Sequence, residues 1–508
     1  MKLLQGFLKL FNKNKTEGKK SKQKDAKPPE RELQRKTKEK NLSSNKPTIK
    51  SNGLIRKKEE KVYIQVGLDF GTSSTKIVFS QIGKRYAKAL FLGHKLPTFP
   101  EYCLPSIAAI NGHGKLLLGI DAARYLIKKQ WDSGFQRIKV IVAGKYDDTF
   151  KDRVTENNFY SYRDKNKLNE SFTPERLTAV FLAYAMHTAR SIIQEMPEYK
   201  NINLNMSFNI CMPIDHYQNN PLRDVFINIF SWAEAIEHKW CSDGSSFDVL
   251  KASYETEKME KLVPDGQKVH AVPESVAGIA SYLVSLRKRE GLHAIIDLGA
   301  GTSDISICNI HINSDETKPY WYSAKNIPRG TINIERIIAD YLSECSQCTC
   351  QTVSDFIYHL REKDLANLSS SDRNLKGLIY NELRSITESD DYIKTWGSAY
   401  RKLKKQTKWM EVEVFLSGGG ALLPYVHEVF SVPWWNQLRT TYHTSILPTP
   451  DNYDPGEGNA PFDRMAVAYG LSIPIPQLAD YVLPADCSDH TPPPLRVRDL
   501  YHEDIYAK

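Results

Sequence analysis

The 508-residue sequence lacks the features of several protein classes. Its longest apolar stretches, such as residues 177–186, fall far short of the roughly 20 residues that a membrane-spanning helix requires. Eight cysteines and no apolar signal core at the start favour a reducing, cytoplasmic compartment over a disulfide scaffold. No glycine-rich loop ends in Lys-Ser or Lys-Thr, so phosphate binding through a Walker-type loop is excluded.

Excess positive charge is confined to the first 60 residues. Those residues contain 19 Lys and Arg against 7 Asp and Glu, whereas residues 61–508 contain 50 against 53. The main body of the chain is therefore nearly neutral, and we expect no specific recognition of nucleic acid.

The first 60 residues predict a basic tether with a helix at its start. Residues 12–62 contain no aromatic side chain, and their Lys, Glu, Ser, Asn and Pro content predicts a disordered segment. Apolar residues within 1–15 recur at helical spacing among lysines, which predicts an amphipathic helix. Such a helix can bind a protein partner or lie peripherally on the inner membrane surface, and packing on its own chain is the plain alternative.

The rest of the sequence alternates predicted strands with predicted helices. Strands are predicted at 62–69, 76–80, 203–211 and 294–297, and helices at 177–193, 274–286 and 463–471. Thr173 and Pro174 mark a helix start, because threonine caps a helix and proline suits its first position. This alternation is typical of the α/β class. Prolines recur beyond residue 473 and predict an irregular C-terminal tail.

Two eight-residue turns follow a similar pattern. Each begins with an aspartate, an apolar residue and a glycine, and each has serine and threonine further on. They are Asp69-Phe70-Gly71-Thr72-Ser73-Ser74-Thr75-Lys76 and Asp297-Leu298-Gly299-Ala300-Gly301-Thr302-Ser303-Asp304, and each follows an apolar strand. Glycine lets backbone N–H groups turn towards an anion, and the hydroxyl groups add donors for phosphate oxygens. An aspartate at the end of each strand can hold the water shell of Mg²⁺. Together the turns predict a polyphosphate site, although either turn alone also suits an ordinary hairpin.

Three further segments accompany the turns in a fixed order. Glu274 begins a small-residue helix 23 positions before Asp297, a triple-glycine turn at 418–420 follows an apolar strand, and a second small-residue helix spans 463–471. The five segments resemble the phosphate 1, connect 1, phosphate 2, adenosine and connect 2 motifs of the actin-like ATPase superfamily. Within it, the chain is most similar to the ATPase domain of the heat shock protein 70 family. The resemblance covers roughly residues 62–475, more loosely over 311–410.

This resemblance implies a fold and a domain organisation. It implies an actin-like ATPase fold of two lobes, each built on a ribonuclease H-like sheet with helices, with ATP or ADP and Mg²⁺ in the cleft. The domains would be the tether at 1–60, lobe I at 61–293, lobe II at 294–475 and the Pro-rich tail at 476–508. Only residues 472–508 follow the last motif, so we expect no peptide-binding domain. The implied function is that of an ATPase, slow or fast, that acts as a nucleotide-controlled, chaperone-like switch for an unidentified protein partner.

The resemblance also implies roles for individual residues. The β- and γ-phosphates would be held by Gly71, Thr72, Ser73, Ser74, Gly299, Gly301 and Thr302. Gly418, Gly419 and Gly420 would lie against the adenosine, and Asp69 and Asp297 would hold the water molecules of Mg²⁺. Asp304 and Glu274 would orient the attacking water, with Asp304 as the proton acceptor. Lys139 would reach the γ-phosphate, a role that Lys145 fits nearly as well.

Other functions remain open at the level of sequence. The first turn is also similar to the start of carbohydrate kinases of the same superfamily, but the paired Asp297 and Asp304 favour a hydrolase. A filament-forming cytoskeletal or scaffold protein of the actin-like kind is a second alternative, tethered through its basic N-terminus. A scaffold that binds nucleotide with little turnover is a third. Residues 1–15 and the Pro-rich tail are the expected docking segments for a partner.

Overall fold

The structure, a computed structural model, describes residues 61–487 with internal gaps. These gaps are residues 85, 97–98, 130–133, 152, 219–220, 262–268, 314–315, 344–372 and 424. The predicted tether with its amphipathic helix, and residues 488–508 of the predicted tail, lie outside the described residues.

Strands supply two large sheets and one small one. The strands are β1 Lys61–Phe70, β2 Ser74–Gln81, β3 Ala87–Ala89, β4 Cys103–Pro105, β5 Ala108–Ile110, β6 Leu116–Leu118, β7 Asn203–Met212, β8 Val269–Pro273, β9 Gly291–Leu298, β10 Ser303–Ile312, β11 Thr317–Ile327, β12 Glu413–Ser417, β13 His443–Ile446 and β14 Tyr453–Asp454.

The two large sheets repeat one strand order. The first sheet has the order β14-β3-β2-β1-β7-β8, with β4 also paired to β2, and the second has the order β11-β10-β9-β12-β13. In the first, β1 is antiparallel to β2 and parallel to β7. In the second, β9 is antiparallel to β10 and parallel to β12. Each sheet therefore has a central strand with a hairpin on one side and a parallel strand on the other.

Helices occur between the strands throughout the described residues. The α-helices are α1 Gly119–Lys128, α2 Ile138–Tyr146, α3 Arg153–Lys165, α4 Pro174–Glu195, α5 Ile214–Tyr217, α6 Pro221–Asp243, α7 Val249–Tyr254, α8 Thr256–Glu260, α9 Glu274–Val284, α10 Thr331–Ser343, α11 Arg373–Thr387, α12 Asp390–Lys402, α13 Gln406–Trp409, α14 Val426–Phe430 and α15 Phe462–Leu471. The α/β class predicted from the sequence is confirmed.

Local sequence signals explain where several elements begin. The Thr173 side chain accepts a hydrogen bond from the N–H of Arg176, and Pro174 occupies the first helical position of α4, as predicted. The predicted strands at 62–69 and 203–211 are confirmed as β1 and β7. The helix predicted at 274–286 ends at Val284, because the backbone of Ser285 is extended.

Helices α9 and α15 lie unusually close to each other and to β1. A Cβ added to Gly470 would lie 1.9 Å from the carbonyl oxygen of Ala277 in α9. A Cβ added to Gly67 in β1 would lie 2.2 Å from the carbonyl oxygen of Ala468 in α15. Both positions therefore require glycine, and the small residues noted in the two segments allow this contact. The packing joins the first turn of α9 to the last turn of α15 and holds α15 against β1.

The described part of the predicted tail contacts the second sheet. The N–H of Trp321 in β11 donates to the carbonyl of Val482, and the N–H of Val482 donates to the carbonyl of Pro319. Leu483 and Cys487 are buried. Among the residues that the structure describes, no helix combines the length and the apolarity that a membrane span needs.

Candidate active site

One cavity is lined by both glycine turns. It encloses about 1160 Å³ of empty space, part of it open to solvent. The lining includes Asp69, Gly71, Thr72, Ser73 and Ser74 from the first turn, and Asp297, Gly299, Ala300, Thr302 and Asp304 from the second. Lys139 of α2, Glu274 of α9, and Gly418 and Gly419 after β12 also line it.

The first turn closes the hairpin of β1 and β2. Its two ends, Asp69 and Lys76, are paired across the hairpin. The Lys76 Nζ donates to Asp69 Oδ2 at 2.9 Å. Burial alone would lower the pKa of Lys76, but the Asp69 carboxylate outweighs burial and the pKa is raised. Gly71 is required by the turn, because a Cβ there would lie 2.5 Å from the carbonyl oxygen of Ser74.

The second turn closes the hairpin of β9 and β10 in the same way. Here the paired ends are both acidic, Asp297 and Asp304. The Ser417 hydroxyl donates to Asp297 Oδ2 at 2.9 Å, which orients this carboxylate. Burial, and then the negative charge of Asp69, raise the pKa of Asp297. Ala300, which stands where the resembled family has glycine, does not have a positive φ, so the turn accepts alanine without strain.

A buried cluster of one cation and two carboxylates lies between the turns. The Lys139 Nζ is 3.8 Å from Glu274 Oε2, an oxygen that is buried and has no hydrogen-bond partner among the residues that the structure describes. Burial raises the pKa of Glu274 to about 7, and the nearby aspartates add to the shift while Lys139 opposes it. Burial, followed by the charge of Glu274, raises the pKa of Asp304 well above its ordinary range. Burial lowers the pKa of Lys139, but Glu274 reverses this and the net shift is upward.

Two predicted site residues, both in the described part of the chain, do not line the cavity. A Cβ on Gly301 would meet Val140 and Thr72, so Gly301 packs behind the turns. A Cβ on Gly420 would lie 2.7 Å from Leu298 Cβ, so Gly420 packs on β9. Gly301 allows the Val140 and Thr72 side chains to come close, and Gly420 allows the close approach of Leu298. Lys145, the alternative to Lys139, instead forms an ion pair with Glu175 at 2.6 Å.

Two cations in the cavity were not predicted from the sequence. The position of Lys76 could have been predicted, because the last residue of a hairpin turn faces the first residue across the hairpin. Arg464 lies in the first turn of α15 and also lines the cavity. Its Nη2 is 3.7 Å from the point where a Cβ on Gly419 would lie, and its guanidinium is 5.8 Å from the Tyr102 ring centre. Because β1, β12 and α15 are distant in sequence, no local pattern indicates this contact.

The site joins three kinds of groups that suit a bound polyphosphate. Lys76, Lys139 and Arg464 supply positive charge, and the serine and threonine side chains of the turns supply hydroxyl donors. The carboxylates of Asp69, Glu274, Asp297 and Asp304 supply hard oxygen ligands and proton acceptors. Chemically, the arrangement can bind an anion together with a hard divalent cation and accept a proton beside them.

Comparison with protein families and with curated proteins adds no relative. No protein-family model matches the chain, and no curated protein is significantly similar to it. The interpretation of the cavity therefore depends on its residues and on their geometry.

Proposed function

We propose that this chain is a Mg²⁺-dependent ATPase of the actin-like superfamily, related most closely to the ATPase domain of the heat shock protein 70 family. One observation carries the proposal: Thr72 and Thr302, far apart in sequence, line the same cavity. If the two turns were ordinary hairpin turns, we would not expect them to face each other across one cavity. In this proposal, the two turns together hold the phosphates.

The strand order of the sheets supports the same assignment. A hairpin and a parallel strand flank the central strand of each sheet, and the glycine turn follows that central strand in both cases. A ribonuclease H-like sheet repeated in two lobes has this arrangement. The repeated order therefore favours an actin-like fold over an α/β fold with one continuous sheet.

The lining of the cavity suits a nucleoside triphosphate in its chemistry, because apolar groups lie next to the glycine turn as well as polar ones. Thr331 of α10 lies beside Gly420, with its Cγ2 3.0 Å from the point where a Cβ on that glycine would lie. Ile334 and Ile338 of the same helix line the cavity, as does Leu423. These apolar groups provide a wall for a nucleobase next to the glycine turn.

The donor set also fits Mg²⁺. Asp69 and Asp297 are carboxylates at the ends of the two central strands, and both line the cavity. Mg²⁺ keeps several water ligands and usually takes one or two carboxylates in addition to phosphate oxygens. When held by Asp69 and Asp297 through its water molecules, it would supply positive charge that neutralises the phosphates. The Ser417 hydroxyl keeps the Asp297 carboxylate in one orientation for this role.

The remaining acidic residues can handle the proton of an attacking water. A general base works best when its pKa lies near the working pH, and burial raises the pKa of both Asp304 and Glu274 in that direction. Asp304 is attached rigidly to the second hairpin, and Glu274 is fixed at the start of α9. Lys139 beside Glu274 offers the positive charge that a γ-phosphate needs. Phosphoryl transfer requires mainly this positioning and charge stabilisation.

A switch function follows from the position of α9 and α15 in this proposal. Both helices contact each other and begin at the cavity, with Glu274 and Arg464 in their first turns. A change at the phosphates would therefore shift the contact of the two helices. We further propose a cytoplasmic protein that binds its partner through residues 1–15 or the Pro-rich tail.

Calorimetric titration of the full chain with Mg·ATP, Mg·ADP and Mg·GTP tests the proposal. We expect adenine nucleotides to bind at one site and phosphate to be released, without acceleration by added sugars. Hydrogen exchange in α9 and α15 should differ between the ATP and ADP states. Absence of binding heat for every nucleotide contradicts the proposal, and sugar-dependent turnover replaces it with the kinase alternative.

A further inference from the structure

A second cluster of metal-binding side chains lies on α4 and α6, and none of its members lines the nucleotide cavity. His187 belongs to α4, and Glu237 and Cys241 belong to α6. The Cys241 Sγ lies 3.1 Å from Glu237 Oε1 and 3.8 Å from His187 Nδ1. All three donor atoms lie within 4.8 Å of one another. Glu237 and Cys241 are four residues apart, which brings them to one face of the helix.

These separations are close to those of a tetrahedral metal centre. Zn²⁺ binds sulfur at about 2.3 Å and nitrogen or oxygen at about 2.0–2.1 Å, so two ligands of one tetrahedral ion are separated by roughly 3.3–3.6 Å. The distances from Cys241 Sγ, 3.1 Å to Glu237 Oε1 and 3.8 Å to His187 Nδ1, bracket that range. The third separation, between His187 and Glu237, is at most 4.8 Å, so side-chain rotation must bring these two donors to the common centre.

Neighbouring side chains hold two of the three donors in place. The His187 ring stacks on Trp240, with ring centres 4.7 Å apart and planes 12° apart, which fixes the direction of Nδ1. The Arg190 guanidinium donates to both oxygens of Glu237, from Nε to Oε1 at 2.6 Å and from Nη2 to Oε2 at 3.4 Å, so the carboxylate is held in place and a metal would share Oε1 with Arg190. Metal-binding carboxylates commonly accept such outer hydrogen bonds.

We propose that His187, Glu237 and Cys241 form a binding site for a borderline divalent ion, Zn²⁺ in particular, with water in the fourth position. A sulfur, nitrogen and oxygen set selects Zn²⁺, Co²⁺ or Cu²⁺ and disfavours Mg²⁺ and Ca²⁺. Cys241 is exposed and gives the ion access from solvent. Binding forms one metal–sulfur bond and releases the Cys241 proton to solvent, with no change of oxidation state. This site is independent of the proposed ATPase activity.

Titration with Co²⁺ tests the proposal, because thiolate ligation gives a charge-transfer absorption. The full chain should carry Ser at Cys345, Cys348 and Cys350, which lie outside the described residues and offer other thiols. We expect the absorption to saturate at one ion per chain and Zn²⁺ to displace Co²⁺. The change Cys241→Ser should abolish the band, and His187→Ala should weaken binding about tenfold or more.

His238→Ala is the matched control, because His238 is an exposed imidazole next to Glu237 on the same helix. It should leave Co²⁺ affinity unchanged. A band that survives Cys241→Ser, or an equal loss in His238→Ala and His187→Ala, overturns the proposal. In the unmutated protein, Zn²⁺ should protect Cys241 from alkylation by iodoacetamide, as mapped by mass spectrometry. Alkylation of Cys241 at the same rate with and without Zn²⁺ also overturns it, whatever the stability of the variants.

Discussion

The two glycine hairpins have the same pairing register and opposite charges at one end. Each begins with an aspartate at the end of a central strand, and in each the eighth residue faces that aspartate across the hairpin. The eighth residue is Lys76 in the first hairpin and Asp304 in the second. The first hairpin therefore carries a neutral ion pair, whereas the second carries two carboxylates.

This difference indicates a division of roles within one cavity. The Lys76 ammonium neutralises Asp69 and adds donors that suit an anion, so the first hairpin is suited to binding phosphate. Asp304 cannot attract phosphate, but its raised pKa suits it to accept a proton. Binding and turnover should therefore respond differently to changes in the two hairpins.

The largest effect is expected for Asp304→Asn. Removal of the proton acceptor should lower the rate of phosphate release about 10²–10⁴-fold, while the dissociation constant of Mg·ATP changes little. Single-turnover phosphate release and calorimetry measure the two quantities. Asp121→Asn on the exposed face of α1 is the control and should change neither. If Asp304→Asn lowers the rate of phosphate release and the affinity for Mg·ATP by the same factor, the two hairpins do not have separate roles in turnover and binding.

Lys76→Met should affect binding instead of turnover. A charge-assisted contact contributes about 1.5–3 kcal/mol, so the affinity for Mg·ATP should fall roughly 10- to 150-fold. The change also leaves Asp69 buried without its cation, so the free energy of unfolding should fall by up to about 3–5 kcal/mol. Chemical denaturation and calorimetry measure both effects. Lys76→Arg keeps the charge and should recover most of the affinity; Lys76→Met with wild-type affinity would contradict the assignment.

Arg464→Ala extends the comparison to the glycine turn at 418–420. Arg464 lies beside Gly419, so we expect it to contact the part of the nucleotide that ATP and ADP share. The affinities for Mg·ATP and Mg·ADP should fall by the same factor, about tenfold. Arg401→Ala on the exposed face of α12 is the matched control. If only the affinity for Mg·ATP falls, Arg464 contacts the γ-phosphate and not the part that the two nucleotides share.

The smallest effect concerns pH and a small cavity behind both turns, where His216 lies with Thr72 and Thr302. Burial lowers the pKa of His216 to about 4, although Asp215 opposes the shift. The pKa of His216 is therefore lower in the folded protein than in the unfolded chain. Its contribution to the free energy of unfolding is complete above the unfolded pKa and is lost as the pH falls towards the folded pKa. From about pH 7.5 to about pH 5.5, the wild type should lose about 1 kcal/mol more unfolding free energy than His216→Gln.

Urea denaturation at the two pH values measures this difference. The exposed His113→Gln is the control and should behave as the wild type does. If His216→Gln and the wild type lose the same free energy of unfolding between the two pH values, then His216 does not contribute to the pH dependence of stability.

Local signals predicted the elements, while contacts distant in sequence were only partly predicted. Thr173 with Pro174 gave the start of α4 because capping involves neighbouring residues. The common residue order of the turns gave most of the cavity lining. The contact of Arg464 with the glycine turn was missed, because it depends on how α15 packs against α9 and β1. Gly301 was assigned to phosphate from its motif, although the structure places it behind the turns in a packing contact.

A crystal structure with Mg²⁺ and a non-hydrolysable ATP analogue tests the central claim most directly. We predict that the β- and γ-phosphates lie between Gly71–Ser74 and Gly299–Thr302, with the metal's water molecules on Asp69 and Asp297. An analogue bound elsewhere, or held by one hairpin alone, would contradict the account.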